Sequence, residues 1–317
     1  MAMSHRVAGA SEDGMATAEL AVALPALALV LSGLLWVLAA VTAQLRCTDA
    51  AREAARAAAR GYGLVVFDQA GSTNIEALAA ARQGARAPCW FVTTEQTAGR
   101  GRRQRPWVAP RGNLASSVLE VLNVAPVVAA TLGFAACLAI ENALRQVSRE
   151  AVLRSGGSSA LDFAVKWPND VLAGGRKIVG MLLEAEQVAG GLAVVAGIGT
   201  NVVAAPTDTP TPAVSLRDLG VEVSAEDLFS ALSESWVEYF GIWNEGRGFA
   251  DIRRLWLERA AGLGQPVAIR SGHAIIEGIF DTIDEQGCML VRTAEGRLEP
   301  ITAGDVHFGS VASKGAV

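Results

Sequence analysis

The longest apolar stretch of the chain lies close to the N-terminus, ahead of any pattern typical of a folded domain. Residues 20–45 include no charged side chain and consist mainly of Leu, Val and Ala. Since about 20 apolar residues are enough to cross the hydrocarbon core of a bilayer, the stretch predicts a transmembrane helix over about 20–45. A buried core helix and a cleavable secretion signal are the alternatives. However, few soluble domains contain so long an apolar helix, and no clear cleavage site follows it.

From Gly61 onward, short apolar runs alternate with helical periodicity. Apolar and β-branched runs predict strands over residues 64–68, 89–94, 113–121, 163–172, 176–184 and 192–198. Apolar residues spaced three and four positions apart predict helices that begin near residue 74 and span 125–147, 225–241 and 249–261. Ser72 or Thr73 can cap the first of these helices, and capping is the plainer interpretation of both residues when they are considered alone.

The pattern changes again at Gln265. Short alternating strands follow, separated by turn residues at 271–272, 285–287 and 295–296. This pattern predicts a small C-terminal β-barrel. We therefore place a domain boundary near Gly264, so that the predicted regions of the chain are 1–60, 61–264 and 265–317.

The composition is that of a folded protein with a net acidic charge. Apolar residues make up 51% of the 317 residues, which argues against global disorder. The 27 basic and 32 acidic residues give a net charge of −5, which argues against a general nucleic-acid binder. Four scattered cysteines without a Cys-x-x-Cys pair suggest neither a disulfide framework nor a zinc site, and they fit a reducing compartment.

One basic segment contrasts with this acidic charge. Residues 94–107 contain Gly99, Gly101, a closing Trp107 and four arginines, at Arg100, Arg102, Arg103 and Arg105. Arginine donors suit carboxylate and phosphate oxygens, while glycine allows the backbone to approach a ligand closely. The segment therefore predicts a flexible loop that closes over a polyanionic small molecule. A solvated basic loop or a nucleic-acid patch is the alternative from these residues alone.

A second polar cluster is expected where residues 163–172 and 176–184 pair through the turn at Gly174 and Gly175. This pairing would place four polar residues near one another, namely Lys166, Asn169, Asp170 and Lys177. Apolar residues flank them on both sides, where an unpaired charge is costly. The cluster therefore indicates a functional site more strongly than a surface salt-bridge set. A further strand ends in Gly-x-Gly, but without a third glycine and a helix this dinucleotide signal is weak.

With these motifs, the region from Gly61 to the C-terminus resembles the biotin protein ligases, in the short class that lacks a DNA-binding domain. The resemblance rests on residues 72–74, 96–107, 166–170 and 177–180, with support from 199–201 and the C-terminal strands. It implies an α+β fold in which a mixed sheet with flanking helices forms a class II synthetase-like catalytic domain, followed by an SH3-like β-barrel. Gln104 departs from the family, which usually has Gly at that position.

The resemblance implies an ATP-dependent reaction in two steps. Biotin and ATP first form biotinyl-5′-AMP and pyrophosphate, with Mg²⁺ bound mainly through the phosphates. The biotinyl group then passes to a lysine of a biotin carboxyl carrier domain. Lipoate or octanoate ligases of the same superfamily are one alternative, and a membrane pilus-assembly protein with an inert ligase domain is another. No nucleic-acid partner is expected, and a homodimer is compatible with the family.

The resemblance also implies roles for individual residues. It implies catalytic roles for Arg100, Lys166, Asp170 and Lys177. The cations would offset the repulsion between a carboxylate and a triphosphate, and Asp170 would orient or deprotonate the acceptor lysine. The implied biotin site consists of Ser72, Thr73, Asn74, Gln96, Gly99, Arg100, Gly101, Arg102, Lys166 and Gly180. The implied ATP site consists of Arg102, Arg105, Trp107, Lys166, Asn169 and Asn201, and no metal site made of protein side chains is implied.

Residues 1–60 have a resemblance of their own. Gly14 is followed five places later by Glu19 and then by the apolar stretch, and the segment resembles the start of a TadE-like pilus-assembly protein. Basic residues after the apolar stretch favour a cytoplasmic C-terminal part, whereas a prepilin-like protein would place that part outside the cytoplasm. Because the implied reaction needs ATP, we expect the catalytic part in the cytoplasm, tethered to the inner face of the membrane by the N-terminal helix.

Overall fold

The computed structural model describes residues 31–32, 34–35, 56–58, 60–156, 161–207, 209, 211–271 and 274–308. The chain separates into two compact units, Met1–Arg52 and Glu53–Val317. The transmembrane helix expected over about 20–45 lies outside the described residues apart from 31–32 and 34–35, which are helical. The labelled strands and helices all belong to the second unit.

A seven-stranded sheet lies at the centre of this unit. Its strands are β1 (Gly63–Phe67), β2 (Cys89–Thr93), β5 (Leu114–Leu122), β6 (Phe163–Lys166), β7 (Asp170–Ala173), β8 (Arg176–Val188) and β9 (Gly191–Thr200). They are ordered β1-β2-β5-β9-β8-β7-β6, with β1 and β2 parallel and all other neighbours antiparallel. The sheet is therefore mixed, as the resemblance implied. Each strand predicted between residues 64 and 198 is present, except that the strand predicted over 163–172 is divided at Pro168 into β6 and β7.

Helices cover one face of this sheet, which we call the helix face. They are α2 (Pro126–Ala130), α3 (Leu132–Arg154), α4 (Ala225–Trp243) and α5 (Phe249–Leu257), numbered after α1 (Thr73–Arg82) on the opposite face. Large side chains such as Leu138, Trp236 and Trp256 are fully buried between these helices and the sheet. This face therefore holds the main apolar core.

The helix predicted over residues 125–147 is found as two helices, because α2 ends at Ala130 and α3 continues to Arg154. At the junction, the hydroxyl of Thr131 donates to the carbonyl of Val128 at 2.7 Å and accepts from the indole of Trp243 at 2.8 Å. Within the described residues, one helical segment, Pro126–Arg154, is long and apolar enough to cross a membrane. Since 72% of its most apolar window is buried, it serves here as a core helix.

The opposite face of the sheet, which we call the pocket face, carries α1. Ser72 occupies the N-cap position of α1 as predicted, but its side chain makes no cap hydrogen bond. Ala77, Leu78 and Ala81 pack against Phe91 and other apolar side chains of the sheet in a core much smaller than that of the helix face. The side chain of Ser72 is thus available for a role other than capping.

The arginine segment also lies on the pocket face, and the prediction of a flexible loop is wrong for most of it. It forms β3 (Gln96–Arg100) and β4 (Pro106–Ala109), paired antiparallel, and we call this unit the arginine hairpin. A 3₁₀ turn joins the strands, with Arg103 and Gln104 at φ of 56° and 61°. Left-handed φ favours glycine and costs other residues roughly 1–2 kcal/mol, which gives a physical reason why Gly is usual at the position of Gln104.

The C-terminal strands form a separate antiparallel sheet. Its members are β10 (Pro266–Ser271), β11 (Ala274–Ile283), β12 (Met289–Arg292), β13 (Leu298–Ile301) and β14 (Asp305–Phe308). They are ordered β13-β12-β11-β10-β14. The short strands predicted after Gln265 are thus present, while their closure into an SH3-like barrel stays a prediction. The indole of Trp167 donates to the carbonyl of Gly287 at 3.0 Å, which joins this sheet to the segment that follows Lys166.

The chain just before β1 packs against α4. Ala57 is 1% exposed, and Arg60 donates to the hydroxyl of Ser233 at 2.9 Å. The phenol of Tyr62 donates to Glu120 at 2.7 Å and accepts from the indole of Trp236 at 2.9 Å. Residues on both sides of the predicted boundary at 60/61 therefore contact the same helix, and the boundaries at 60/61 and 264/265 stay predictions.

Candidate active site

A row of paired residues crosses the pocket face from one edge strand to the middle of the sheet. Strand register pairs Lys166 with Asp170, Asp170 with Gly180, Gly180 with Gly199, and Gly199 with Ala115. Directly paired residues lie on the same face of a sheet. Three residues singled out from the sequence, Lys166, Asp170 and Gly180, therefore share one row and one face.

A second row lies two residues further along β8. There Leu182 is paired with Gly197, and Gly197 with Ser117. Because side chains alternate along a strand, this row lies on the same face as the first. The two rows together form the floor of a pocket.

Glycines in the floor make room for side chains from above. A Cβ on Gly199 would lie 2.4 Å from Nε1 of Trp107, and a Cβ on Gly180 would lie 2.7 Å from its ring. A Cβ on Gly197 would lie 2.1 Å from Oδ1 of Asn74. Such distances are far below van der Waals contact. Glycine at these positions therefore allows both Trp107 and Asn74 to reach the sheet.

The pocket lies between the N-terminal end of α1, the arginine hairpin and this floor. Eight of the predicted site residues line it, namely Ser72, Thr73, Asn74, Gln96, Arg100, Gly101, Trp107 and Gly180. Ala115, Ser116, Met181, Leu182, Gly197, Ile198 and Gly199 complete the lining. The first strand and tip of the hairpin and the start of α1 are thus brought together as the sequence motifs predicted.

One end of the pocket is a hydrogen-bonded polar network. The backbone N–H and the hydroxyl of Thr73 donate to Oε1 of Gln96 at 2.9 and 3.3 Å. Oγ of Ser117 lies 2.7 Å from the hydroxyl of Thr73 and 2.6 Å from Oδ1 of Asn74. The network connects α1, β3 and β5, and it suits a ligand that has polar ring atoms.

A carboxylate borders this network. Glu184 accepts from Nδ2 of Asn74 at 2.8 Å and lies 3.3 Å from a terminal nitrogen of Arg100 through both of its oxygens. The same Nδ2 also donates to the carbonyl of Leu182 at 3.1 Å. Asn74 and Arg100 are therefore held by the protein before any ligand binds.

A cationic group lies beside the pocket, next to Gly180 and Trp107, and we call it the cationic end; its residues Lys166, Asp170 and Lys177 do not line the pocket themselves. Lys166 is 7% exposed, and Nζ of Lys177 forms an ion pair with Asp170 at 2.7 Å. Nζ of Lys177 also lies 5.5 Å from the centre of the Trp107 ring, within the range of a cation–π contact. Burial lowers the pKa of Lys166, and repulsion from Lys177 lowers it further. The negative charge of Asp170 acts in the opposite direction but does not cancel the shift. The predicted cluster of charges on the β6–β8 strands is thus present.

Two of the predicted residues meet at the tip of the arginine hairpin. Arg102 donates to Oδ1 of Asn169 at 3.4 Å, which links the tip to the turn between β6 and β7. The amide nitrogen of Asn169 in turn donates to the carbonyl of Met181 on β8. Neither side chain lines the pocket, and both lie beside its cationic end.

Arg105 is directed to the C-terminal sheet. Its guanidinium donates to Oδ2 of Asp305 at 2.5 Å, and Arg103 donates to the same oxygen at 2.8 Å. Burial by itself would raise the pKa of Asp305. The hydrogen bond and charge of Arg105, together with the charges of Arg103 and Arg102, lower it instead. Phe308 on the same strand lies with its ring centre 5.4 Å from Nζ of Lys166. The C-terminal sheet thus contacts both the arginine hairpin and Lys166 at the end of β6.

The remaining predicted residues, Gly99 and Asn201, do not line the pocket. A Cβ on Gly99 would lie 2.3 Å from the carbonyl oxygen of Trp107, so this glycine permits the close pairing of the hairpin strands. Asn201 is buried and donates to the carbonyl of Val214 at 3.3 Å, while its Oδ1 accepts no hydrogen bond within the described part of the chain. Across that part, no cluster of three or more His, Cys, Asp or Glu side chains could hold a metal ion.

Most of this chain is similar to proteins of a known family. A model of the biotin/lipoate A/B protein ligase family matches residues 74–201, and a model of the biotin protein ligase C-terminal domain matches 262–309. A biotin–[acetyl-CoA-carboxylase] ligase of Paracoccus denitrificans is 40% identical over 248 residues, which cover 75% of this chain and 97% of that protein. The chain belongs to the biotin protein ligase family. A relative with the same activity from Mycobacterium tuberculosis is 34% identical over 250 residues, covering 77% of this chain and 88% of its own.

Solved structures of the family share the fold. The biotin protein ligase of Aquifex aeolicus in complex with biotin and ATP matches 78% of this chain and 98% of its own, with a TM-score of 0.63 and 22% identity. This similarity supports the α+β ligase fold. A model of the TadE-like proteins matches residues 14–56, which lie almost wholly outside the described residues.

Sequence reasoning missed several residues that border the pocket. Glu184 and Ser117 each had a signal, because both are polar residues directly beside apolar runs, 181–183 and 118–119. Glu184 also lies an even number of positions from Gly180 and therefore on the same face of β8. Asp305 and Phe308 had no such signal, since only the packing of the C-terminal sheet brings them to the site.

Proposed function

We propose that this chain is an ATP-dependent biotin protein ligase. In the first step the carboxylate of biotin attacks the α-phosphorus of ATP, forming biotinyl-5′-AMP and releasing pyrophosphate. In the second, the ε-amine of an acceptor lysine attacks the activated carbonyl, forming an amide and releasing AMP. The observation that carries the proposal is a polar pocket that lies beside two lysines, Lys166 and Lys177, on one face of the central sheet.

The polar end of the pocket suits the fused rings of biotin. Thr73 and Gln96 form a network whose donors and acceptors can be shared with the oxygen and nitrogens of a cyclic urea. Ser72 lines the same end with a hydroxyl that makes no cap hydrogen bond. Gly101 also lines the pocket, and without a side chain there a flat ring can approach the backbone closely. We assign this end to the rings of biotin, with its carboxylate directed to the cationic end.

The cationic end suits the reacting groups. Lys166 and Lys177 lie beside Gly180 and Asp170, where a carboxylate coming from the ring site would meet a triphosphate. The two cations would offset the repulsion between these anions and stabilise the charge that grows at the α-phosphorus. Because Lys166 is buried, its ammonium is poorly solvated, and this lowers its pKa from the ordinary value. For the same reason its charge acts strongly on a bound anion.

The nucleotide is assigned to the space beside the cationic end. Arg102 and Asn169 border that space, and Arg105 would reach the phosphates after leaving Asp305. Trp107 offers an indole face to adenine, and Asn201 a buried oxygen without a partner in the described part of the chain. Mg²⁺ would be held mainly through phosphate oxygens, since the described residues offer no ready-made cluster of ligands.

The second step needs a biotin carboxyl carrier domain as the acceptor of biotin. Asp170 lies between Lys166 and Lys177 at the cationic end, and we assign it the task of orienting or deprotonating the incoming lysine. Because the reaction consumes ATP, the catalytic part would act in the cytoplasm. The N-terminal segment would tether it to the inner face of the membrane.

The test uses the purified full-length chain with ATP, Mg²⁺ and one of three acids, namely biotin, lipoate or octanoate. We expect pyrophosphate release that depends on biotin, and transfer of biotin to a carrier domain. Gly197→Val is the matched control, because a side chain there would occupy the space of Asn74 and distort the ring site. If lipoate or octanoate supported pyrophosphate release and biotin did not, the lipoate-ligase alternative would replace the proposal.

A further inference from the structure

Two glutamates lie on the pocket face of β8, and each forms an ion pair with an arginine. Glu184 is paired with Arg100 at 3.3 Å, and Glu186 is paired with Arg82 at 2.5 Å. They are two positions apart and therefore lie on the same face of the strand. Their surroundings differ, since Arg82 extends from the last turn of α1 whereas Arg100 lines the pocket.

The pair at Glu184 is partly enclosed. Glu184 and Arg100 have 26% and 34% of their side-chain surface exposed, against 38% and 55% for Glu186 and Arg82. Glu184 also accepts from Nδ2 of Asn74 at 2.8 Å. One carboxylate therefore holds two residues that line the pocket, one on α1 and one on the arginine hairpin.

Arg100 has an unused donor. Its Nε is buried and makes no hydrogen bond within the described part of the chain, although a terminal nitrogen contacts Glu184. A buried donor without an acceptor has lost its hydration and gained no partner, so it destabilises the unliganded protein. A ligand oxygen in the pocket could accept a hydrogen bond from this Nε. Binding would then remove the destabilisation caused by the unpaired donor.

Asn74 has no such spare donor. Its amide nitrogen donates to both Glu184 and the carbonyl of Leu182, and its oxygen lies 2.6 Å from Ser117. The hydrogen-bonding groups of Asn74 are therefore engaged with the protein. Its contribution is to fix the wall of the pocket, and the donor left for a ligand belongs to Arg100.

We propose that Glu184 is a positioning residue for biotin recognition, holding Arg100 so that its Nε is presented to the ligand. This inference rests on the proposed function. Glu184 acts through Arg100 and through the orientation of Asn74, and it does not itself need to touch the substrate. Since both contacts lie at the ring end of the pocket, the residue affects the binding of biotin more than the chemistry at the α-phosphorus.

The test compares Glu184→Gln with Glu186→Gln in the full-length chain. The amide introduced by Glu184→Gln would keep an oxygen for Asn74 but lose the charge that holds Arg100. By calorimetry with biotin alone, we expect the Kd of Glu184→Gln to rise about tenfold, or about 1.4 kcal/mol, because a hydrogen bond to a charged group is lost. In steady-state kinetics, KM for biotin should rise while kcat and KM for ATP stay within about twofold. Glu186→Gln should bind biotin as the unaltered chain does.

A double-mutant cycle tests whether Glu184 acts through Arg100. In an Arg100→Lys background, Glu184→Gln should raise the biotin Kd less than about threefold, since the shared interaction is already lost. Full additivity, or equal biotin affinity of Glu184→Gln and the unaltered chain, would overturn the inference and leave the proposed function intact. Absence of biotin binding by the unaltered chain would overturn both. Circular dichroism and the thermal midpoint establish that each variant is folded.

Discussion

The two faces of the central sheet are made from the same strands but filled in opposite ways. On β9, Val194 and Ala196 point into the large apolar core on the helix face. Alternate residues point to the pocket face, where the strand ends in Gly197 and Gly199. Large apolar side chains fill the helix face, whereas on the pocket face the glycines leave space that Trp107 and Asn74 enter. Stability and ligand binding are thereby assigned to different faces of the same strands.

Charged groups on the two faces also differ. On the helix face, Glu141 is fully buried and paired with Arg145 and Arg259, so its charge is satisfied within the protein. On the pocket face, buried Nε of Arg100 lacks an acceptor among the described residues. Buried charge that is satisfied internally supports the fold, whereas an unsatisfied donor beside a pocket is typical of a binding site.

The largest expected effect is on the pocket face, at Lys166. Lys166→Ala removes a buried cation beside the position assigned to the phosphates, so the rate of biotin-dependent pyrophosphate release should fall on the order of 10³-fold. The thermal midpoint should stay unchanged or rise, since a desolvated charge is removed. Arg82→Ala, which removes an exposed cation of the same face, is the control and should keep full activity. Normal turnover by Lys166→Ala would show that the cationic end is wrongly assigned.

On the helix face, a substitution should lower stability and leave activity unchanged. Leu138 is fully buried in α3, and Leu138→Ala should lower the free energy of unfolding by roughly 2–5 kcal/mol through lost burial and a cavity. Activity per folded molecule should stay unchanged at low temperature. Denaturant unfolding and pyrophosphate release measure the two quantities on one sample. A loss of activity without a loss of stability would contradict the division between the faces.

The smallest effect concerns Glu120, a polar residue on the helix face. Burial raises the pKa of Glu120 from 4.5 to about 7, against the opposing hydrogen bonds from Tyr62 and Trp236. The folded protein therefore binds this proton more tightly than the unfolded chain does. The protonated carboxyl of Glu120 therefore stabilises the folded protein fully below about pH 4.5. This stabilisation is lost as the pH rises through about 7.

Glu120→Gln stays neutral and can still accept from Tyr62, so it should escape this loss. Relative to the unaltered chain, its free energy of unfolding should increase by roughly 2–3 kcal/mol between about pH 5 and about pH 8. Denaturant titrations at several pH values measure the difference. A constant difference across that range would contradict a raised pKa for Glu120.

The sequence by itself predicted the strands of the central sheet and most of the pocket. Alternation and turn residues located the strands because the side-chain period of two is a local property. The resemblance carried by residues 72–74, 96–107 and 166–180 predicted residues that line or border the pocket, whereas Ser72 and Thr73 considered alone indicated only a helix cap. The helix over 125–147 was less well predicted, because the division at Thr131 depends on a hydrogen bond from Trp243.

Only the tertiary structure decided how these pieces act together. Strand register placed Gly180 beside Gly199 and Gly199 beside Ala115, and packing turned the arginine segment into a hairpin bound to the C-terminal sheet through Asp305. It also left Nε of Arg100 without an acceptor within the described part of the chain. Such features depend on residues far apart in the chain that meet only after folding. Local periodicity carries no information about them.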